Sequence, residues 1–474
     1  MNRQEIAQKL NEMGLPKGAI VLLHSSLAAI GKVDGGADAV VDAFLDAVGP
    51  EGTLLVPVFG NLGIITTIVK NRPNALVSPC PVGTLAGIGP AAAELFEDHW
   101  KPESPHAQGT PFHRLAQKGG FVCLLGVDQD RNTALHGIEA QLKLPYLGQT
   151  TQTFTTPDGE TVTKTWKHYP GPHRNFIGLD PLFLECGAMT IDRIGNAQVR
   201  LLDAKKMWDA ALEYGTMDPA FVLCDNPNCP ACVRQRADIF SDYIAANESF
   251  KLSASARLAG RYVPEMVENL KRVGIKFVEL DIIQGVPVSQ MSAEKLQAAV
   301  SEFNEAGIEV SAARIAAVPD NVEKFIEVMK AAAIGTLIVP SAAEDEQISQ
   351  LQQAGFNVVI CNRSMTGAAV QRKAARCGVN VCFNPANFAE AGQQPFGVYR
   401  ADRFIRNIVQ LDVNDALKTG EAEELACGQA EIKEMISILR CRNFDGFMTI
   451  GGGFEYPGIL EDAVDRFAEL LENM

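Results

Sequence analysis

Apolar residues recur along this chain in two rhythms, and the change from one to the other divides it. Up to about Phe240, strand-length apolar runs (Ala19 to Leu23, Thr53 to Phe59, Phe121 to Leu125) alternate with stretches of helical period (Gln4 to Met13, Ala37 to Val48, Ala91 to Asp98, Thr133 to Lys143, Asp203 to Tyr214). Such alternation predicts an α/β sheet domain. Between Gly148 and Lys167, threonine-rich arms flank a Pro-Asp-Gly turn, the signal of a β-hairpin. From Lys251 onward the order is strictly strand then helix: KLSASAR, KFVELD, EVSAARI, TLIVPS, NVVICNR, NVCFNP, NIVQLDV and GFMTIGG are separated by helical stretches. Eight such units predict a (β/α)8 TIM barrel. The chain thus reads as an α/β sheet domain over 1–245 followed by a barrel over 246–474.

The first strand ends in polar residues. Ala19 to Leu23 delivers His24, Ser25 and Ser26 to its carboxyl end, where open α/β sheets place their ligands. Lys32 and the pair Gly35-Gly36 follow, and they open a helix with Val40, Val41, Phe44, Leu45 and Val48 on one stripe. Adjacent glycines let the backbone approach an anion, and the helix points its positive end at the same place. The element predicts a cradle for a phosphorylated ligand, with a plain turn as the simpler alternative.

Composition narrows the class. A chain of 474 residues exceeds what one hydrophobic core usually serves, and 47% hydrophobic with 21% charged residues describes ordinary globular sequence in both halves. No apolar run approaches the roughly 18 residues of a membrane span, and Met1 to Gly14 lacks a signal-peptide pattern. The expectation is a soluble cytoplasmic protein. A net charge of −15 disfavours nucleic acid and anionic membranes as partners and permits a polycationic substrate. Eleven cysteines, an odd number, argue for reduced thiols or a metal site rather than a disulfide framework.

Two clusters carry candidate chemistry. In GVDQDRNTALHGIEAQ, Asn132 or Thr133 can cap a helix that holds His136 and Glu139 one turn apart on one face. A carboxylate within reach of an imidazole fixes its tautomer and stabilises its cation. Cys224, Cys229 and Cys232 lie at spacings close to those of zinc knuckles, and a closed zinc site needs a fourth ligand. Cys186, His168 and His173 are available, while unligated reduced thiols are the alternative. A redox role for Cys229-Pro-Ala-Cys232 is disfavoured, because the pair follows a polar loop rather than a thioredoxin strand.

The string HSSLxxIGxVxGGADAVVDAFLxAVGxEGTLLVPVF resembles the opening of the aminoglycoside 3-N-acetyltransferase family, and LLGVxxxxNTALHxxE resembles its second signature. The resemblance implies acetyl-coenzyme A (acetyl-CoA) held by Ser25, Ser26, Lys32, Gly35 and Gly36, with His24 either a further contact or a structural hydrogen-bond donor. It also implies that His136 is the general base and Glu139 its partner, in acetyl transfer to the amine of a small acceptor. GTPFHRLAQKGG resembles the family's Ser-Pro-x-x-x-Leu segment, with Thr110 in place of the serine. Two departures concern the acceptor. Ser78-Pro79-Cys80-Pro81 followed by Thr84 stands where the family carries His-Pro and a serine, and an acidic Asp-Pro segment is missing from GNLGIITTIVKNRPNALV. An acceptor other than a classical polycationic aminoglycoside is the expectation.

Phrases such as VENLKRVGIKFVEL, VNVCFNPANFAEAG and NFDGFMTIGG resemble the sugar-phosphate isomerase and epimerase family, whose barrel is like that of xylose isomerase. Members of that family bind a divalent ion through carboxylates and histidines at the ends of the later strands. Here those ends read Asn362, Asn384, Gln410 and Gly451, a neutral set, with Glu279, Asp281, Asp412 and Asp415 as remaining carboxylates. The expectation is a barrel without its metal site, serving as scaffold, homodimer element or sugar-binding module. Gly451-Gly452-Gly453 then reads as a barrel-closing turn or a phosphate cradle. A metal-dependent isomerase working through the barrel and a non-catalytic two-domain binding protein are the competing functions.

Overall fold

Ile20–Ser25 (β1) is the strand on which the first unit is organised. It pairs in parallel with Thr53–Pro57 (β2) on one side and with Phe121–Leu125 (β5) on the other. Leu76–Val77 (β3) and Leu85–Ile88 (β4) extend the β2 edge in antiparallel fashion. Met189–Ile194 (β8) and Ala197–Asp203 (β9) extend the β5 edge likewise, giving a seven-stranded sheet in the order β3-β4-β2-β1-β5-β9-β8. The parallel centre corresponds to the three runs read from the sequence. Three of the four outer strands carry little local signal, because Leu76–Val77 and Leu85–Ile88 are short and β8 exposes half its residues.

Alternation along β1 sets the layers. Val21 and Leu23 pack into one core with Ile6 and Leu10 of the helix Arg3–Glu12 and with Val40, Val41, Phe44 and Val48 of the helix Gly36–Val48. His24, one residue out of phase, points to the opposite face. Gly148–Thr155 (β6) and Thr161–His168 (β7) form a separate two-stranded sheet. This is the expected hairpin, stapled by hydroxyl pairs Thr151–Thr165 and Thr153–Thr163 at 2.7 Å. Its buried Trp166 packs on Trp100 and Phe154.

The computed structural model describes residues 1–60, 62–169 and 173–474, in two compact units, Met1–Gln235 and Arg236–Met474. The division falls within the helix Pro230–Asn247, ahead of the boundary read at 245. In the second unit, Lys251–Ser255, Phe277–Leu280, Glu309–Arg314, Thr336–Pro340, Asn357–Cys361, Asn380–Phe383, Ile408–Val413 and Phe447–Ile450 close into an eight-stranded barrel, every neighbouring pair parallel. All eight strand runs of the sequence lie in it. Among the described residues no helix is long and apolar enough to cross a membrane.

Candidate active site and metal cluster

Because β1 lies between β2 and β5, the chain leaves it toward one side and returns on the other, and open α/β sheets place their ligands at the carboxyl ends of such strands, here β1 and β5. Register places His24 beside Leu124 and Ser25 beside Leu125, so the loops after both strands meet there. On the β1 side Ser26 caps the short helix Leu27–Ile30, its hydroxyl accepting from the Ala29 amide at 3.4 Å. Ser25 Oγ is buried and has no hydrogen-bond partner among the described residues. Lys32 is exposed, and its carbonyl accepts from the Met1 amino group at 3.3 Å. Gly35 and Gly36 adopt φ of +86° and +63°, the left-handed region that glycine enters at least cost, and a Cβ on Gly36 would meet nothing within 4 Å. The Gly36 amide donates to the Val33 carbonyl at 3.0 Å, closing the turn that opens the helix Gly36–Val48.

On the β5 side the helix expected over Thr133 to Lys143 is shorter. Asn132 caps a single 3-10 turn, Thr133–Leu135, through its side chain and the Ala134 amide at 3.2 Å, and an α-helix follows only over His136–Gln141. The break puts His136 at the head of that helix. His136 Nδ1 lies 2.7 Å from Glu139 Oε2, and Glu139 is fully buried. The Tyr146 hydroxyl and Arg174 Nε donate to its other oxygen at 3.0 and 2.6 Å. Burial pushes the Glu139 carboxyl up, but the His136 and Arg174 bonds and charges outweigh it and hold the group below the usual carboxylate range. An ionised Glu139 keeps the proton on Nδ1, which leaves Nε2 with its lone pair.

The ring is fixed on its flanks as well. Tyr169 stacks on His136 at 4.2 Å, Phe176 lies 5.0 Å away, and His106 lies 5.5 Å away. His24 shares the cluster, with Nε2 3.4 Å from Thr133 Oγ1. Burial, aided by a neighbouring His136 charge, pushes His24 down to about 3 and His106 well below the histidine range. Both stay neutral at physiological pH. Thr110, matched to the family's serine, is buried at the head of the helix Pro111–Gln117 and donates to the Ala107 carbonyl at 2.6 Å. Sequence reading missed Tyr146, Tyr169, His106 and Arg174, which lie in loops with no local pattern to mark them.

A second cluster forms from Cys224, Cys229, Cys232 and His173, whose donor atoms all lie within 4.8 Å of one another. Of the three fourth ligands considered, the structure brings in His173. Cys186 is exposed on the helix Asp180–Glu185 boundary, with its thiol 3.7 Å from the Phe183 carbonyl.

The sequence profile described as aminoglycoside 3-N-acetyltransferase matches residues 22–61 and 59–215. Aminoglycoside N(3)-acetyltransferase VII of Streptomyces paromomycinus is 30% identical over 36% of this chain and 70% of its own length. The chain belongs to the aminoglycoside 3-N-acetyltransferase family. It is thereby an acyltransferase, with the family's residues confined to the first unit. Aminoglycoside N(3)-acetyltransferase IX of Micromonospora chalcea is 28% identical over 45% of this chain and 93% of its own length. The solved apoenzyme of aminoglycoside acetyltransferase AAC(3)-IVa is 27% identical, covers 50% of this chain and 97% of its own, and superposes with a TM-score of 0.46.

The barrel mouth holds a different arrangement. Arg314 Nε donates to Glu279 Oε1 and Arg314 Nη2 to Asp412 Oδ1, each at 2.6 Å, and Gln410 Nε2 bridges the same carboxylates at 2.6 and 3.0 Å. Asn384 Nδ2 reaches the second Asp412 oxygen at 2.9 Å. Cys361 and Cys382 meet Asp412, but Arg314 lies 3.3 and 3.4 Å from the two thiols, so a cation already sits among these donors. Asp281 pairs with Arg257, and Asp415 accepts from the Ala416, Gly428 and Ala430 amides. The triple glycine makes room for this network: a Cβ on Gly452 would fall 2.4 Å from Asp412 Oδ1, and one on Gly453 would fall 2.6 Å from Arg314 Nη1.

Proposed function

We propose that the first unit is an acetyl-CoA-dependent N-acetyltransferase acting on a primary amine of an amino-sugar acceptor. The observation that carries this reading is the His136–Glu139 pair after the carboxyl end of β5, the strand that pairs with β1, whose own following loop carries the glycine turn. Acetyl-CoA supplies an acetyl thioester. Lys32 and the Gly35-Gly36 turn at the head of its helix would receive its phosphates, and the buried Ser25 hydroxyl, which lacks a partner among the described residues, supports a polar contact at the end of β1. The amine nitrogen attacks the thioester carbon while His136 Nε2 takes its proton, and Glu139, ionised and anchored by Arg174 and Tyr146, stabilises the imidazolium. The carbon–sulfur bond then breaks, and coenzyme A leaves as the thiol with the proton from His136.

The relatives are named for aminoglycosides, and an amino sugar is the acceptor class most consistent with them. Leu62 and Ile64, just beyond β2, are 40% and 52% exposed where the family pattern calls for acid. This supports an acceptor with an apolar portion and fewer positive charges than a classical aminoglycoside. Thiol release from acetyl-CoA across a panel of amino sugars and simple amines tests the reading. Turnover with at least one of them that vanishes in His136→Ala is expected, and full turnover in that variant would overturn the role of His136.

His173, Cys224, Cys229 and Cys232 have the donor set of a closed structural zinc site, and this reading gives the protein one zinc ion there. The barrel, in turn, we read as a (β/α)8 barrel of the xylose isomerase kind whose metal position is taken by the Arg314 guanidinium.

A further inference from the structure

His173 Nδ1 lies 3.4 Å from Cys232 Sγ and 3.9 Å from Cys229 Sγ. A tetrahedral zinc with bonds of about 2.3 Å to sulfur and about 2.0 Å to nitrogen sets its ligands about 3.5–3.8 Å apart. The cluster already has those edges. The Cys224 amide donates to Cys232 Sγ at 3.4 Å, as amides do toward metal-bound thiolates.

The residue after the histidine ligand is Arg174, whose side chain is 2% exposed. Its Nε holds Glu139 at 2.6 Å. Its Nη1 donates to the His173 carbonyl and to Gln235 Oε1, both at 2.8 Å. Gln235 stands on the helix Pro230–Asn247, one turn beyond Cys232. The guanidinium also lies over Tyr146 and Tyr169 at 5.0 and 4.6 Å, and Tyr169 is the ring stacked on His136. Arg174 is thus tied on one side to the catalytic carboxylate and on the other to the ligand residue His173 and to Gln235, one helical turn from Cys232. The Asn175 amide, donating to the Val222 carbonyl at 2.8 Å, joins the same two stretches of chain.

We propose that a zinc ion on His173, Cys224, Cys229 and Cys232 is a positioning element for acyl transfer, fixing Arg174 and through it Glu139 and His136. The coupling rests on His136 being the base; the metal site does not. Without the ion, His173 and the Cys232 turn lose a shared fixed point, so the Arg174 bonds to the His173 carbonyl and Gln235 can shift and loosen the guanidinium on the buried Glu139.

The experiment uses the full chain purified without chelator. Metal analysis is expected to find one zinc per chain, and cobalt exchange should give the intense ligand-field bands of tetrahedral thiolate coordination. Metal-free protein, whether its three thiols are reduced or paired in a disulfide, would overturn the site. Cys229→Ser should lose the ion, and Gln235→Ala should keep it. Both should lower kcat roughly tenfold or more while leaving the calorimetric Kd for coenzyme A within about twofold. A readout independent of turnover is the downfield proton resonance of His136 Nδ1–H on Glu139, assigned by its absence in His136→Gln. It should sharpen with zinc and broaden or shift in Gln235→Ala. Zinc bound, with kcat and this resonance unchanged in Gln235→Ala, would overturn the coupling and leave the metal site standing. Absence of turnover with every amine would sink the acyl-transfer reading, while the resonance still reports on the coupling.

Discussion

His136 and Glu139 form one unit: Nδ1 and Oε2 are 2.7 Å apart, and the carboxylate is wholly buried beneath the ring. Nothing else among the described residues holds Nδ1, so the carboxylate sets the tautomer. Glu139→Gln can present its amide nitrogen to Nδ1 and draw the proton to Nε2, where it blocks the base. Turnover should fall roughly 10²–10⁴-fold, with the Kd for coenzyme A little changed. Steady-state kinetics with acetyl-CoA and the best amine, beside calorimetry, checks both halves.

The glycine pair makes a separate prediction on the cofactor side. Gly36 has φ +63° and open space where a Cβ would stand, so Gly36→Val meets no wall but must strain the backbone by about 1–2 kcal/mol and crowd the turn with a branched side chain. The Kd for coenzyme A should rise by roughly tenfold or more while kcat at saturation stays near wild type. An unchanged Kd would remove the phosphates from this loop.

Arg314 should be the most sensitive charge in the barrel. Its side chain is 11% exposed, and both of its carboxylate partners are fully buried. Burial pushes the Glu279 carboxyl up, and the guanidinium opposes that push. Arg314→Met leaves two buried acids facing each other and should cost about 3–5 kcal/mol, read as loss of hydrogen-exchange protection in the barrel strands. Adding Glu279→Gln and Asp412→Asn to Arg314→Met should restore much of it. A single variant as protected as wild type would show that the carboxylates do not depend on this cation.

How legible all this was depended on whether the information was local. The parallel strands, the helix Gly36–Val48 and all eight barrel strands came from apolar periodicity, which a strand buried on both faces writes into its own residues. The edge strands Leu76–Val77 and Met189–Ile194 expose half or more of their residues and carry no such pattern. His136 and Glu139 were readable because they sit three residues apart. Arg174 is far from both in sequence and reaches Glu139 only through the fold. The same holds for Arg314, whose partners Glu279 and Asp412 lie on other strands. Three cysteines marked a candidate ligand cluster by their spacing, but choosing among Cys186, His168 and His173 required coordinates.

The buried imidazoles of the first unit make its stability depend on acidity. Burial pushes His24 down to about 3 and His99 to about 4, and holds His106 well below the usual range. In the unfolded chain each titrates near 6.5. Between about pH 4 and 6.5 the unfolded state therefore binds protons that the native state does not, so stability is complete above that window and is lost as pH falls through it. Each such group contributes about 1.4 kcal/mol per pH unit, so the three together give a slope of about 4 kcal/mol per unit at its steepest. Urea midpoints for the first unit, followed by Trp166 and Trp208 fluorescence, should be flat from pH 8 to 7 and drop sharply from pH 6 to 5. His99→Asn should make the drop shallower, even where it lowers the starting stability by removing the bonds to Ser78 Oγ and the Pro105 carbonyl at 3.0 and 2.9 Å. An unchanged midpoint at pH 5 would mean that these rings take up their protons in the folded protein.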